Sequence, residues 1–568
     1  MTSQLLERNM EALPEELLLN IFSFFSWNEL KVLSLVSRRW YRITGTASLI
    51  AGTYICLSKV RLNNKLRANE DSYIDRQLLV DSHRQYEAVS IEIFFTEDIL
   101  IKKTLLGILL ETCLSRWSVK TLRITGQYEH LVLFLQGYNY CFTDLLELEI
   151  VLEQFEDSDH YKVCKHEPKI CLLDLRRLQN LIWSERSLPS RSCQMPHSFT
   201  FTVPRLKYLG VNRLVLHEDN LMVFDCTALQ TAHLNCYSLL GSSMFDSDIL
   251  NLKQLTIDGY AFKDHELADS SRLLKNLIWL NLTRPVPEDL RVVSRYAKEL
   301  KTLKITVLQE VISIEFLMMQ QLHELHLESL ELLPIATPID CPNLCKLTLL
   351  RIKCSTTLQL NAPQLDALIA EETVFKFLRL RDYDVVRRLG ILRGYTAQEI
   401  TIPEFPNVSQ LYLKWLPGTS KRKRTLGFRT TRVTKLTILN SSIEDLLEDI
   451  LIELPNVENL HLHYGSNLPN KIEATHLKKL LITNCETRHS VLKAPPQLEW
   501  LRLYDILRDP YEVGRFDPLG DPRNCFELAP SKRFLPLVVH VPEPFTGGKI
   551  RYSTLGYRFV ENDEMLAW

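Results

Sequence analysis

Three stretches, LKTLKI at 300–305, LHELHL at 322–327 and LCKLTL at 344–349, carry apolar residues at their first, fourth and sixth positions. A short strand with this spacing sends its three apolar side chains inward while the intervening residues face out. The same pattern begins at 206, 229, 252, 277, 300, 322, 344, 365, 386, 408, 433, 457, 477 and 498, in steps of 20 to 25 residues. A leucine-rich chain yields single matches by chance, but fourteen in one phase mark a repeat. One unit cannot bury its apolar side alone, so the units must stack.

The punctuation agrees with this phase. VPRL at 203, CPNL at 341, APQL at 362, FPNV at 405, LPNV at 454 and PPQL at 495 each set proline two residues before the first apolar position. There it bars a helix from entering the strand and removes no ladder hydrogen bond. The chain must then return along the other side. PEDLRVVSRYAKEL at 287–300 and SSIEDLLEDILIEL at 441–454 read as short helices, whereas CSTTLQLNAPQL at 354–365 is too polar and too short for one. Looser matches upstream, YEAVSI at 86, VKTLRI at 119, LLELEI at 145 and LQNLIW at 178, have larger steps and long inserts. The motif resembles the strand segment of leucine-rich repeats. That resemblance implies an α/β fold, a curved parallel sheet with a mixed helical and irregular convex side, with about 18 irregular repeats over 51–508, clearest from 206.

Composition narrows the function. The chain has 568 residues, too many for one ordinary core, with 67 basic against 69 acidic side chains and a net charge of -2. No general electrostatic footprint for nucleic acid or an anionic membrane follows from that balance. Thirteen cysteines without paired spacing, in a chain with no apolar run of signal-peptide length, point to reduced thiols in a cytoplasmic or nuclear setting. There is no GxSxG, HExxH or GxxxxGK, and 18 glycines leave few phosphate-cradling loops. The expectation is a non-catalytic chain without a cofactor. His160, Cys164, His166 and Cys171 share one polar insert, but their spacing is no recognised zinc pattern.

A different texture heads the chain. LPEELLLNIFSFFSWNELKVLSLVSRRWYRI at 13–43 reads as two apolar helices. Pro14, Glu15 and Glu16 start the first, and Leu17, Leu18, Ile21, Phe22 and Phe25 form its apolar face. Asn28 is a cap for the second, along which Leu30, Leu33, Val36 and Trp40 recur. So short a pair buries too little to stand alone, and it needs its neighbouring repeats, a partner chain, or both.

Leu13, Pro14, Glu16, Ile21, Phe22, Val36, Ser37, Arg38 and Trp40 together resemble an F-box, placed at 8–50 and small and all-helical. Phe25 departs from the family's commoner leucine. The resemblance implies docking on the small adaptor subunit of SCF-type ubiquitin ligases, and through it on a cullin, by Leu13, Pro14, Leu17, Ile21, Phe22, Leu30, Leu33, Val36 and Trp40. F-box followed by leucine-rich repeats is the order of a class of substrate receptors. The implied role is to hold a target protein while a ubiquitin-conjugating enzyme on the same scaffold acts on it.

The target surface is expected on outward strand positions: Gly210, His233, Thr256, Asn281, Lys304, His326, Thr348, Ile369, Gly390, Tyr412, Thr437, His461, Leu481 and Arg502. Toward the end of the array Tyr412, Lys414, His461, His463, Trp500, Arg502 and Tyr504 gather the residue types that carry interface energy. SKRKRT at 420–425 is either a solvated return or an import signal. Residues 509–568 break the repeat with two strand-like runs, FLPLVVHV and IRYSTLGYRF, and read as a cap or tail. Two rivals stay open: a non-degradative scaffold, and a receptor gated by a small molecule in a deep pocket on the repeat face.

Overall fold

The computed structural model describes residues 13–25, 27–46, 49, 54–57, 88–93, 119–126, 131, 135, 142–152, 170–185, 194–195, 198–216, 222–236, 245, 249–258, 273–285 and 287–306. It continues with 311–312, 319–329, 331–332, 339–354, 357–371, 378–381, 383–392, 405–414, 432–439, 447, 451–452, 454–463, 472, 474–483, 486–487, 491–493, 498, 500–504, 507–508, 525–527 and 538–540. The chain forms two compact units, 1–300 and 301–568.

The first unit opens with three short helices, α1 (Glu15–Phe22), α2 (Trp27–Leu33) and α3 (Arg38–Thr44). Glu15 and Glu16 occupy the first turn of α1, where carboxylates complement the helix dipole. The expected second helix is in fact two. α2 begins at Trp27, which puts Asn28 inside its first turn rather than at its cap, and it ends at Leu33. Ser37 then takes an extended conformation and its side-chain oxygen accepts the Trp40 backbone N–H at 3.2 Å, which starts α3. The apolar period from Leu30 to Trp40 runs across this break, and period alone cannot reveal a cap.

Behind the helices nine parallel strands stack in register: β1 (Tyr54–Leu57), β2 (Ala88–Ile93), β3 (Thr121–Gly126), β4 (Glu147–Leu152), β5 (Asn180–Glu185), β6 (Tyr208–Leu216), β7 (Thr231–Cys236), β8 (Gln254–Asp258) and β9 (Trp279–Thr283). Val89, Leu122, Leu148, Leu181 and Leu209 lie opposite one another along this series and are all buried. The looser upstream matches are therefore wall strands of the same phase.

The second unit repeats the construction with ten: β10 (Thr302–Thr306), β11 (Glu324–Glu328), β12 (Lys346–Leu350), β13 (Ala367–Glu371), β14 (Arg388–Leu392), β15 (Gln410–Lys414), β16 (Lys435–Leu439), β17 (Asn459–His463), β18 (Lys479–Thr483) and β19 (Trp500–Tyr504). Burial alternates within β10, β11, β15 and β17, as in buried Leu411 and Leu413 beside half-buried Gln410, Tyr412 and Lys414.

A recurring bond pattern fixes the register. The two N–H groups at each strand entrance donate to one carbonyl of the preceding repeat: Cys345 and Lys346 to His323 at 2.8 and 3.0 Å, Arg387 and Arg388 to Asp366 at 3.0 Å each, Thr434 and Lys435 to Ser409 at 2.9 and 3.0 Å. A side-chain brace accompanies it. Asn251, Asn276, Asn343 and Asn407, each just before the first apolar residue, donate Nδ2–H to a backbone carbonyl one repeat back at 2.7 to 3.0 Å. This explains PNL and PNV: proline ends the return and asparagine ties the turn to its neighbour.

The return side holds more strand than expected among the described residues. Helix α4 (Pro287–Tyr296) forms where its sequence predicts it, and Leu447, Leu451 and Ile452 are helical within the second candidate. Elsewhere short parallel strands stack. One such sheet is Ile170–Asp174, Ser198–Thr202 and Met222–Asp225, and another is Ile339–Asp340, Leu358–Asn361 and Leu378–Leu380. The physical reason lies in the sequence: in Leu358, Gln359 and Leu360 the apolar residues alternate with period two, and the outer two are buried while Gln359 is exposed. In the terminal 60 residues, Val538–His540, inside FLPLVVHV, pairs parallel with Val491–Lys493 and antiparallel with Cys525–Glu527. IRYSTLGYRF lies outside the described residues.

The first unit's return sheet carries an aromatic stack. Phe201 and Phe224 are stacked at 4.9 Å between ring centroids, Phe199 and Phe201 at 5.9 Å, and the Trp183 indole packs edge-on against Phe199 at 5.0 Å. All four are fully buried. Phe201→Ala should cost about 3 to 5 kcal/mol, read as faster native-state hydrogen exchange in the strands around 198–202 and 222–225 with unchanged exchange in the second unit.

Candidate functional site

The helical trio has a small core. Leu18, Phe22, Leu30, Trp40 and Ile43 are buried together, with Leu13, Leu19, Ile21, Leu33 and Leu49 packed against them. Phe22 meets Trp40 edge-on at 5.0 Å between centroids. The Arg39 guanidinium donates to the Leu13 carbonyl at 2.5 Å and ties the entrance of α1 to α3. Of the nine residues implied by the resemblance, Phe22, Leu30 and Trp40 are thus interior, Leu13, Ile21 and Leu33 lean on that interior, and Leu17 and Val36 are exposed. Pro14 is the cap residue of α1.

Large apolar side chains that period reading did not single out stand beside Leu17 and Val36. Phe24 is 88% exposed, Leu35 84% and Val32 66%, and Tyr41 is also exposed, as is Phe25, which the period had placed on the apolar face of the first helix. Seven such side chains within about 25 residues form an uncovered apolar surface of the kind that marks an interaction site. The signal was present in FSFF and LSLV, which hold more apolar residues than three short helices can bury.

Along the second unit's strand wall the parallel register lines outward residues into rows. The third positions run His326, Thr348, Ile369, Gly390, Tyr412, Thr437, His461, Leu481 and Arg502, each directly opposite the next. The first positions run Lys346, Ala367, Arg388, Gln410, Lys435, Asn459, Lys479 and Trp500. Between these rows, from β13 to β18, lies a cavity of about 390 Å³. Ile369, Gly390, Tyr412, His461 and Leu481 line its apolar part, and Arg388, Lys435 and Lys479 line its polar edge.

Gly390 lines it without a side chain, and Ile369 covers the place where one would start. A Cβ there would sit 3.1 Å from Ile369 Cγ1 and 3.2 Å from its Cγ2. The equivalent glycine of the first unit, Gly210, is covered in the same way by the Tyr208 ring, whose Cε1 and hydroxyl oxygen would lie 3.3 Å from an added Cβ. The Tyr208 ring also leans on His233, centroids 5.6 Å apart.

Sequence reading brought Tyr412 and His461 together, and they do line one cavity, on strands two apart. Lys414 and His463 occupy the fifth positions of the same strands. Trp500, Arg502 and Tyr504 fall on β19, paired with β18, while their side chains lie outside the described residues. The sequence did not mark Gly390 as a cavity residue, because a glycine in a strand pattern does not say what lies beside it. His160, Cys164 and His166, and SKRKRT at 420–425, lie outside the described residues too, as does the Cys171 side chain.

Burial sets the electrostatics of this floor. The Tyr412 phenol is pushed up to about 12 by desolvation, so its hydroxyl stays protonated and can donate. His461 is pulled down to about 4 by burial and by the neighbouring His463, and His463 falls to about 4 by burial. Their rings stand 5.8 Å apart. Both are neutral at pH 7.

Residues 10–50 match the F-box-like family. That segment contains the three helices and the exposed apolar side chains around them. No curated protein matches the chain. The protein therefore couples an F-box-like segment to a parallel β-solenoid that suits a protein-interaction domain.

The pH dependence of the second unit follows from the two rings. Their folded pKa values lie below the unfolded value of about 6.5, so the unfolded chain binds protons first as pH falls. Stability is full above about pH 6.5 and declines toward pH 4, on the order of 1 to 2 kcal/mol per ring by pH 5. The double variant His461→Gln and His463→Gln should flatten the melting temperature against pH between 7 and 5 by a corresponding amount.

Proposed function

We propose that this chain is a substrate-recognition subunit of an SCF-type ubiquitin ligase, non-catalytic itself, whose F-box-like segment docks on the ligase adaptor and whose strand wall holds the target. The observation that carries this reading is the uncovered apolar surface on α1 to α3: Leu17, Phe24, Val32, Leu35 and Val36 face away from a core already closed by Phe22, Leu30 and Trp40. Exposing that much apolar surface is unfavourable at about 25 cal/mol per Å², and a partner subunit that covers it recovers the difference. Leu13, Pro14, Ile21 and Leu33 then act by holding the helices at the angle that presents it.

The adaptor links the chain to a cullin scaffold, and the chain contributes effective concentration rather than chemistry: a target held on the wall meets the conjugating enzyme repeatedly. The wall itself supports this reading. Its outward rows vary in residue type while the buried set stays aliphatic, as expected of a surface whose contacts differ along its length. The cavity at Gly390 favours a second reading, a receptor that needs a small ligand to hold its target.

Phe24→Asp and Leu35→Asp, separately and together, place charge on side chains outside the core. Each should abolish co-purification of the adaptor and cullin from cells while leaving the far-ultraviolet circular dichroism and melting temperature unchanged. Trp40→Ala should lower both adaptor capture and thermal stability, by about 3 to 5 kcal/mol for the latter. Retention of adaptor by the double aspartate variant, or capture of adaptor without cullin by the intact chain, would refute the ligase assignment.

A further inference from the structure

The cavity between β13 and β18 has a chemistry that the adaptor reading leaves unspecified. Its floor is apolar and uncharged, made by Ile369, Leu481, the phenol of Tyr412 and the neutral imidazole of His461. Its edge is cationic. Lys435 and Lys479 are exposed there and make no ion pair among the described residues, whereas Arg388, at the same edge, is held by Asp366 at 2.7 Å.

Some charges on and beside the outward rows are neutralised locally. Arg123 meets Glu149 at 3.5 Å in the first unit, and Lys346 meets Glu324 at 3.9 Å and Arg351 meets Glu328 in the second. At the cavity edge Lys435 and Lys479 leave two positive charges beside an apolar hollow. A ligand bearing only apolar groups would leave them unanswered, and one bearing only acids would not fill the hollow.

The spacing adds detail. Adjacent strands lie about 4.8 Å apart, so Lys435 on β16 and Lys479 on β18 are separated by roughly 10 Å along the row, and the Gly390 hollow on β14 lies about 10 Å further back. An extended peptide advances about 3.1 to 3.4 Å per residue, so three residues span the same interval.

Resting on the reading of the strand wall as the target surface, we infer that this cavity takes a short extended segment of the target, with one large apolar side chain seated over Gly390 and acidic residues three and six positions away against Lys435 and Lys479. The Tyr412 hydroxyl, which makes no hydrogen bond among the described residues, donates to a carbonyl of that segment. Asn459, between the two lysines in its row, offers an amide to the backbone there.

The test uses the full chain with its adaptor subunit and a fluorescein-labelled peptide, Gly-Ser-Phe-Ser-Gly-Glu-Ser-Gly-Glu-Ser, followed by anisotropy. Saturable binding is expected, weakened at least tenfold when the peptide's phenylalanine becomes alanine or both glutamates become glutamine. Gly390→Leu, which adds a side chain against Ile369 in the cavity wall, and the paired surface change Lys435→Glu with Lys479→Glu should each weaken it at least tenfold. The lysine variant leaves the buried wall untouched, so it decides the matter if Gly390→Leu folds poorly. Binding indifferent to the glutamates or to these variants overturns the inference. So does absence of peptide binding, including the case in which 1-anilinonaphthalene-8-sulfonate occupies the cavity instead and marks it as a small-ligand site. Adaptor capture is scored in parallel: its loss in the unmodified chain sinks the ligase reading, while its retention alongside failed peptide binding sinks only this one.

Discussion

Everything outward in the second unit depends on one constraint, the pair of N–H groups that each strand entrance gives to a single carbonyl of the repeat before it. Because side chains alternate with period two, a slip of one residue would turn the apolar set to solvent and the outward set into the core. The entrance bonds, braced by Asn343 and Asn407, forbid that slip. Their consequence is positional: residues some 21 to 25 apart in sequence become neighbours about 4.8 Å apart, so that Gly390, Tyr412, Thr437 and His461 act as one surface.

The helical segment obeys the opposite economy. It has few residues, and its interior is complete with Leu18, Phe22, Leu30, Trp40 and Ile43. Further apolar residues can only go outside, and they do, at Phe24, Val32 and Leu35. The repeats bury apolar surface by stacking on their own kind, which is a solution open to an array. Three helices of seven or eight residues have no such neighbour built into their own sequence.

Much of the wall was legible, and the reason is that its signal is redundant. Each strand repeats the same parity, and a single misread member would be corrected by its neighbours, so even the irregular stretches at 119 and 145 fell on strands. The unrepeated features were the ones that escaped. Ser37 as a cap competes with an apolar period that runs straight through it, and only the bond from Trp40 N–H to its side chain reveals the break. The return strand at 358–361 is four residues long, too short for alternation to stand out from a polar loop. Among site residues, Tyr412 and His461 were visible because exposed aromatics on an outward row are unusual, while Phe24 and Leu35 were not, since an apolar residue in a helical pattern is read as core by default. The cavity beside Gly390 escaped for a different reason. A glycine in a strand pattern names neither the side chain that covers it, Tyr208 at Gly210 and Ile369 at Gly390, nor the space beside that side chain.

On the proposed reading of the wall as the target surface, the cavity bears on how that surface acquires specificity. A flat row of mixed side chains offers many weak contacts, most of them to groups that water serves equally well. A hollow with neutral walls changes the balance, because an apolar side chain entering it sheds water on most of its surface, and the lysines at its edge then penalise any partner that brings a like charge. The depressed basicity of His461 and His463 is part of the same design. Charged imidazoles would draw water into the hollow and oppose apolar filling, whereas neutral ones leave the positive charge at the edge, with Lys435 and Lys479. On that reading, recognition is set by where the charge stops: an uncharged floor that rewards size and shape, bounded by cations that reward acids only at a fixed distance from it.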